Sequence, residues 1–379
     1  MSVRHVAALV VALVLSVPLA GAAPAGAADF PPVVSLDPHK ATRDGSPLDH
    51  LPHNIRLLPI RLPHGAPQRA AWSPDGKRLV VLDGPVGDAW EYRRASGDVR
   101  DLTRSSPVRG GVLRAQYLSN GDLVMCAVRH ATAKPAADDR FRGRLWILQR
   151  PLGTRRPVPL GERCWEGIAV SRHRGSTRIA WNRSNIDFSK VPEVFVQALV
   201  GRSKVLTGRI SYRRHRPELV HRAVVLDKRD VSPDTPAVEA QDFRRLADGD
   251  PDPDDELVFS AYFHDGGQVM GVNLDTGVIT DYAPASPFYE EAEGIDPAGR
   301  YVVVERDLAI TLFPGQLDLW RLSLDGSGHF VRMTTFDYYK GYGADNAVVS
   351  PNGRRLAFGL KIDGAEGEGA GILLMDLTV

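Results

Sequence analysis

The chain has 379 residues, with 47 Lys and Arg against 46 Asp and Glu, a net charge of +1. That balance excludes a general nucleic-acid or membrane-surface role, which needs a basic excess. The length allows two domains, although large all-β folds of this size run as one.

The chain opens on a targeting pattern. Arg4 and His5 precede an apolar run, Val6 to Leu19, and small residues fill Ala20 to Ala28, with Ala25-Gly26-Ala27 as the cleavage pattern. A signal peptide over residues 1–28 is expected, and a single domain over 29–379. The run is shorter than the roughly 20 apolar residues that span a bilayer. No cysteine stands near the cleavage zone to take a lipid, and no later stretch is apolar enough to span. A secreted or periplasmic, monomeric protein without a membrane span is expected. Export permits a disulfide between Cys126 and Cys164. Two buried free thiols are the other reading.

The rest of the chain is a repeat. Ala71-Trp72-Ser73-Pro74-Asp75-Gly76-Lys77-Arg78-Leu79-Val80 returns as Val348-Val349-Ser350-Pro351-Asn352-Gly353-Arg354-Arg355-Leu356-Ala357. Further copies begin at Gly294-Ile295-Asp296-Pro297, at Ala115-Gln116-Tyr117-Leu118, at Gly167-Ile168-Ala169-Val170 and, more weakly, at Gln241-Asp242-Phe243-Arg244, where the turn has grown into an acidic stretch, 248–255. Each copy is an apolar segment, a turn of residues that supply fixed or positive φ, and a β-branched return, which together make a hairpin. The copies sit near positions 72, 118, 170, 243, 295 and 349. Spacings near fifty match a four-stranded propeller blade. A second hairpin follows each copy, as in Asp88 to Tyr92, Ser96-Gly97-Asp98 and Val99 to Thr103.

The run from Trp72 to Val80, then Asp88-Ala89-Trp90-Glu91-Tyr92, then Ser96 to Thr103, resembles the TolB-like, WD-repeat-like β-propeller family. The resemblance implies an all-β fold, an exported bacterial member, and a role in interaction; it names no site residue. The last unit stops after its third strand, Ile372 to Leu377, and Asn54 to Leu62 has no blade of its own. A six-bladed β-propeller of four-stranded antiparallel blades, closed by an N-terminal strand, is therefore predicted. A seventh blade would need extra strands within 182–236. Instead, Glu193 to Leu199 and Glu218 to Leu226 read as two strands of the third blade, separated by a long basic hairpin from Arg202 to Arg216.

Residues just ahead of each copy should line the central channel: Gln68 and Arg69, Arg114, Glu166, Glu239 and Gln241, Glu291 and Glu293, Asp345 and Asn346. A core-lining strand would carry apolar residues there. Either these groups are solvated and idle in a wet channel, or they form a polar site. Glu-Gly occurs twice, at Glu166-Gly167 and Glu293-Gly294, and two opposed carboxylates can divide acid and base work on a glycoside. The candidate catalytic residues are Glu166, Glu293 and Glu239. The candidate ligand-binding residues are Arg69, Arg114, Trp165, Gln241, Tyr289, Glu291, Asp345 and Asn346. The same carboxylates suit a hard cation, calcium above all, as possible cofactor. No G-x-S-x-G or H-E-x-x-H is present, and His130 and His264 have no partner in the pattern. Two functions stay open: a propeller holding a glycan, peptide or protein partner at a carboxylate-rich channel mouth, or an extracellular carbohydrate-active enzyme, hydrolase or lyase.

Overall fold

A computed structural model describes residues 43–129, 131, 142–149, 156–185, 201–233, 235–246, 254–264, 267–284, 286–308, 316–362 and 369–378. The expected leader lies outside them. The described residues belong to one unit, Pro38–Val379.

Each copy of the repeat folds as the turn chemistry dictates. In the first, Ser73 N–H donates to the Arg78 carbonyl, Asp75 accepts from the Lys77 amide, and Gly76 takes a φ of 65°. The last copy repeats this with Ser350, Asn352, Arg354 and Gly353 at 69°. Only residues without a Cβ take this conformation freely, so the turn register is fixed by the glycine.

Six four-stranded antiparallel sheets result. The first holds β2 (Gln68–Trp72), β3 (Arg78–Leu82), β4 (Ala89–Arg93) and β5 (Val99–Asp101). The second holds β6 (Val112–Tyr117), β7 (Leu123–Ala127), β8 (Arg144–Leu148) and β9 (Val158–Arg163), and the third β10 (Ile168–Val170), β11 (Arg178–Ser184), β12 (Ser203–Arg213) and β13 (Arg216–Asp227). The fourth holds β14 (Ala237–Arg244), β15 (Glu256–Tyr262), β16 (Val269–Asn273) and β17 (Ile279–Asp281), and the fifth β18 (Tyr289–Ile295), β19 (Tyr301–Asp307), β20 (Asp318–Ser323) and β21 (Phe330–Arg332). The sixth is β22 (Tyr342–Val349), β23 (Arg355–Ile362), β24 (Ile372–Asp376) and, as its outer strand, β1 (Ile55–Leu57).

The ring closes as the sequence predicts. Ile55 pairs with Met375 and Leu57 with Leu373. The innermost strands touch in cyclic order, β2 to β6, β10, β14, β18, β22 and back to β2. The Trp72 indole donates to the Val348 carbonyl across that last junction. The core is divided among the junctions: Val124, Ile147, Ile179 and Trp181 pack between the second and third blades, and Val303, Leu319, Phe358 and Leu373 between the fifth and sixth. Asp88 and Asp318, at equivalent positions, accept hydrogen bonds of 2.6 Å from Thr103 and Thr334 and pin the third strand to the fourth in their blades.

Two expectations change. The basic segment from Arg202 to Arg216 is not a connection: it is mostly β12, followed by a two-residue turn at Arg214 and His215, both left-handed (φ 49° and 65°). Its Ile210 and Tyr212 pack toward the core of the second and third blades, leaving the cations to face outward. Its charge hides the alternation of a strand. The expected strand Glu193 to Leu199 lies outside the described residues, as does His130. His264 does have a partner, with Nδ1 3.3 Å from the Thr235 hydroxyl. Of the two cysteine readings the disulfide holds: Cys126 of β7 is bonded to Cys164, which precedes β10, so the bond ties two adjacent blades.

Candidate functional site: an acidic channel crossed by two arginines

The channel residues sit on a recurring irregularity. Pairing of the first two strands slips between Gln68 and Ala71, Val112 and Arg114, Ala240 and Asp242, Ala292 and Ile295, and Asp345 and Val348. A bulge puts two residues opposite one and re-aims the extra side chain. Arg69, Glu166 and Asn346 have φ of 51°, 42° and 49°, costly for residues with a Cβ and held only by their surroundings.

The two Glu-Gly pairs use the missing Cβ to bring blades together. A Cβ on Gly167 would lie 2.9 Å from the Ala240 carbonyl oxygen, and one on Gly294 would lie 2.8 Å from the Val349 amide. Each glycine thus admits the inner strand of the next blade. The acids do not form one opposed pair. Glu166 is ion-paired with Arg69 at 3.7 Å, whereas Glu293 is hydrogen-bonded to Glu305. Arg69 also donates to the Leu113 carbonyl at 2.9 Å.

Arg114 reaches farthest. It donates to Asn346 Oδ1 at 2.7 Å and lies 4.0 Å from Glu239. The Tyr262 hydroxyl is 2.8 Å from Glu239 Oε2 and 2.7 Å from Glu291 Oε1, and the Tyr289 hydroxyl donates to Glu291 Oε2 at 2.5 Å. A phenol has one proton. Tyr262 can therefore donate to one of its two carboxyl neighbours, and the other must carry the proton of that contact. Glu305 accepts from the Asn346 amide, and Asp345 lies close enough to act on Glu305 through its charge. A Cβ on Gly359 would meet the Asp345 carboxylate, so that glycine makes its room.

Among the described residues the cluster holds Glu166, Glu239, Glu291, Glu293, Glu305 and Asp345 against Arg69 and Arg114, six acids to two cations. All are buried or nearly so. Removing carboxylates from water favours their neutral form, and like charges add to this. Burial, with Glu291 and Glu166 nearby, pushes Glu239 up to about 8. Burial also holds Glu293 and Glu305 well above the usual carboxylate range. The arrangement can thus store protons, or exchange them for a metal cation.

Glu291, Glu293 and Glu305 each offer a carboxylate oxygen within 4.8 Å of the other two. Oxygens bound to one calcium at about 2.4 Å span at most about 4.8 Å, so one ion can reach all three. The donors are all hard oxygens, as calcium requires.

A cavity of about 90 Å³ enters the channel from the turn side, with Pro74, Ser119 and Pro351 at its rim and Arg114, Gln241 and Glu293 at its inner end. That is below the 300 Å³ or more typical of small-molecule sites. Arg172 narrows it further. It donates to the Ile295 and Val349 carbonyls at 3.2 Å each and pairs with Asp242 at 2.5 Å, joining four blades. Trp165 is buried, its amide bonded to the Asn182 carbonyl, and Tyr289 stacks on Tyr262 at 6.4 Å.

Position alone could not yield Glu305, Tyr262, Asp242 or Arg172, because none lies in the segment ahead of a repeat. Glu305 had one signal, a charge at the end of the apolar run Tyr301 to Val304.

Six antiparallel blades around a buried carboxylate channel make this chain a six-bladed β-propeller. No family model and no curated protein sequence matches it. Solved structures do. A gluconolactonase from Xanthomonas campestris is 13% identical, with TM-score 0.48 and coverage of 85% of this chain and 89% of the other. An oligogalacturonate lyase from Vibrio parahaemolyticus is 12% identical, with TM-score 0.45 and coverage of 85% and 93%. A TolB-type protein from Agrobacterium tumefaciens is 14% identical, with TM-score 0.37 and coverage of 85% and 83%. At such identities the likeness is one of fold, and no activity is carried over from it.

Proposed function

We propose that the protein is an exported binding propeller of the TolB-like kind whose channel acids hold a calcium-class cation beside the site for a glycan, peptide or protein partner. The observation that carries this reading is the convergence of Glu291, Glu293 and Glu305 within 4.8 Å. Four more acids than cations in the buried cluster, counted among the described residues, call for protons or a metal. Glu291, Glu293 and Glu305 would hold the ion, with Asp345 near Glu305. Arg114, Gln241 and Asn346 would then face the ligand from the cavity side. The buried Cys126–Cys164 disulfide supports an oxidising compartment, and no helix among the described residues is long and apolar enough to cross a membrane.

The test is a thermal-shift titration with calcium, magnesium and manganese. Calcium should raise Tm in a saturable way, and Glu293→Gln and Glu305→Gln should each abolish the rise. A wild-type Tm indifferent to all three ions would defeat the cation part. The enzyme reading keeps one supporting observation, a Glu239 proton retained near neutral pH, as a general acid needs. Turnover of an acidic or neutral oligosaccharide that disappears in Glu239→Gln would establish it.

A further inference from the structure

The long outer hairpin of the third blade has no part in the channel. Strands β12 and β13 have 11 and 12 residues, whereas the outer strands β5, β17 and β21 of other blades have three. From Arg202 to Arg222 the sequence holds Arg202, Lys204, Arg209, Arg213, Arg214, Arg216 and Arg222 against one acid, Glu218. The base of this hairpin and the edge of the second blade enclose a groove of about 590 Å³. Arg163 of β9, Arg183 of β11, and Arg202 and Lys204 line it, over Leu206 and Val224. Its size falls within the range of small-molecule sites.

Two of these cations are partly neutralised. Glu162 lies 3.8 Å from Arg183, and Asp227 is 2.8 Å from Lys204. The guanidinium groups of Arg163 and Arg202 have no carboxylate partner among the described residues. Val224 is 53% exposed, one of four exposed large apolar residues among the described residues. Charge on a long outer strand protects its edge from pairing with another chain. Edge protection accounts for outward arginines along β12 and β13. It does not account for cations from two blades converging over an apolar floor.

We infer that this groove is a second binding site, for a short acidic glycan bearing carboxylate or sulfate groups. The planar guanidinium fork matches either group with two parallel hydrogen bonds. Val224 and Leu206 offer a dry surface to the C–H face of a sugar ring. A bare inorganic anion gains nothing from that floor. Since the cations are exposed, binding depends on several of them together and weakens with salt.

The experiment is calorimetric titration with a defined oligouronate and a sulfated oligosaccharide at low and at physiological salt, with tripolyphosphate and a short oligonucleotide as comparators. Wild type should bind at least one of the two glycans at low salt, more tightly than either comparator. Arg163→Ser combined with Arg202→Ser should weaken binding at least tenfold while leaving Tm unchanged, since both side chains are solvent-facing. Val224→Ser should weaken the glycan and leave tripolyphosphate as it was. Undiminished binding by the double arginine variant, comparators as tight as the glycan, or no glycan binding at low salt would each overturn the inference.

Discussion

Arg114, from the second blade, crosses the channel to hydrogen-bond Asn346 of the sixth at 2.7 Å, while its other nitrogen lies 4.0 Å from Glu239 of the fourth. One guanidinium therefore serves three blades and, with Arg69, offsets part of the acid excess of the cluster. Arg114→Met keeps the volume and removes the charge. Breaking a buried pair costs about 3–5 kcal/mol, so a fall in Tm of several degrees is expected. The fall should be larger at pH 8 than at pH 5, because the acids left behind must then ionise unaided. Differential scanning calorimetry at the two values checks both points.

The channel acids also set the sign of the pH dependence. The folded-state pKa values of Glu239, Glu293 and Glu305 are raised, so the folded chain binds more protons than the unfolded one between the two values. The stability they contribute is full below the ordinary carboxylate range, near 4–4.5. It is lost as pH rises, through about 8 for Glu239. Asp337, pushed up to about 8 by burial and Asp318, acts in the same direction. In calcium-free buffer Tm should decline from pH 5 to pH 9. Glu239→Gln should flatten part of that decline, and a Tm that climbs over this interval would contradict the assignment.

Calcium must displace protons if it binds where proposed. Titration in two buffers of different ionisation enthalpy should give heats that differ, with protons released on binding. Apparent affinity should increase from pH 6 to pH 8. Equal heats in both buffers would place any bound calcium elsewhere.

The disulfide closes a loop with a sequence separation of 38 between Cys126 and Cys164. By loop entropy its removal costs about 4 kcal/mol. The Cys126→Ser, Cys164→Ser double variant should lose stability on that scale in chemical denaturation, with an unchanged β-sheet circular dichroism spectrum at low temperature. A loss below about 1 kcal/mol would mean that the unfolded chain is not constrained as the loop model assumes.

The blades were legible because turn chemistry and strand alternation are local, as in Ser73 to Arg78. The closing strand could be inferred because the last unit has three strands and Asn54 to Leu62 has no blade. Most channel residues could be read too, since the bulge that aims Arg69 or Asn346 lies at a fixed distance ahead of each repeat. Their pairings could not. That Glu166 meets Arg69 while Glu293 meets Glu305 depends on which blade-to-blade distances close, and Gly167 and Gly294 set these by contacts with the next blade. The β12 strand was obscured for a different reason, as its exposed arginines masked the buried alternation of Ile210 and Tyr212.

The seam between β1 and β24 has a consequence for biosynthesis. Asn54 Nδ2 donates to the Asp376 carbonyl, a contact between positions 322 residues apart. A chain made from its N-terminus thus holds the outer strand of its sixth blade from the beginning but can seat it only when β24 exists. Until then the sixth blade lacks its outer strand and β24's place stands open. Assembly of the ring is tied to the synthesis of β24, and any interruption before residue 372 leaves five blades with no clasp.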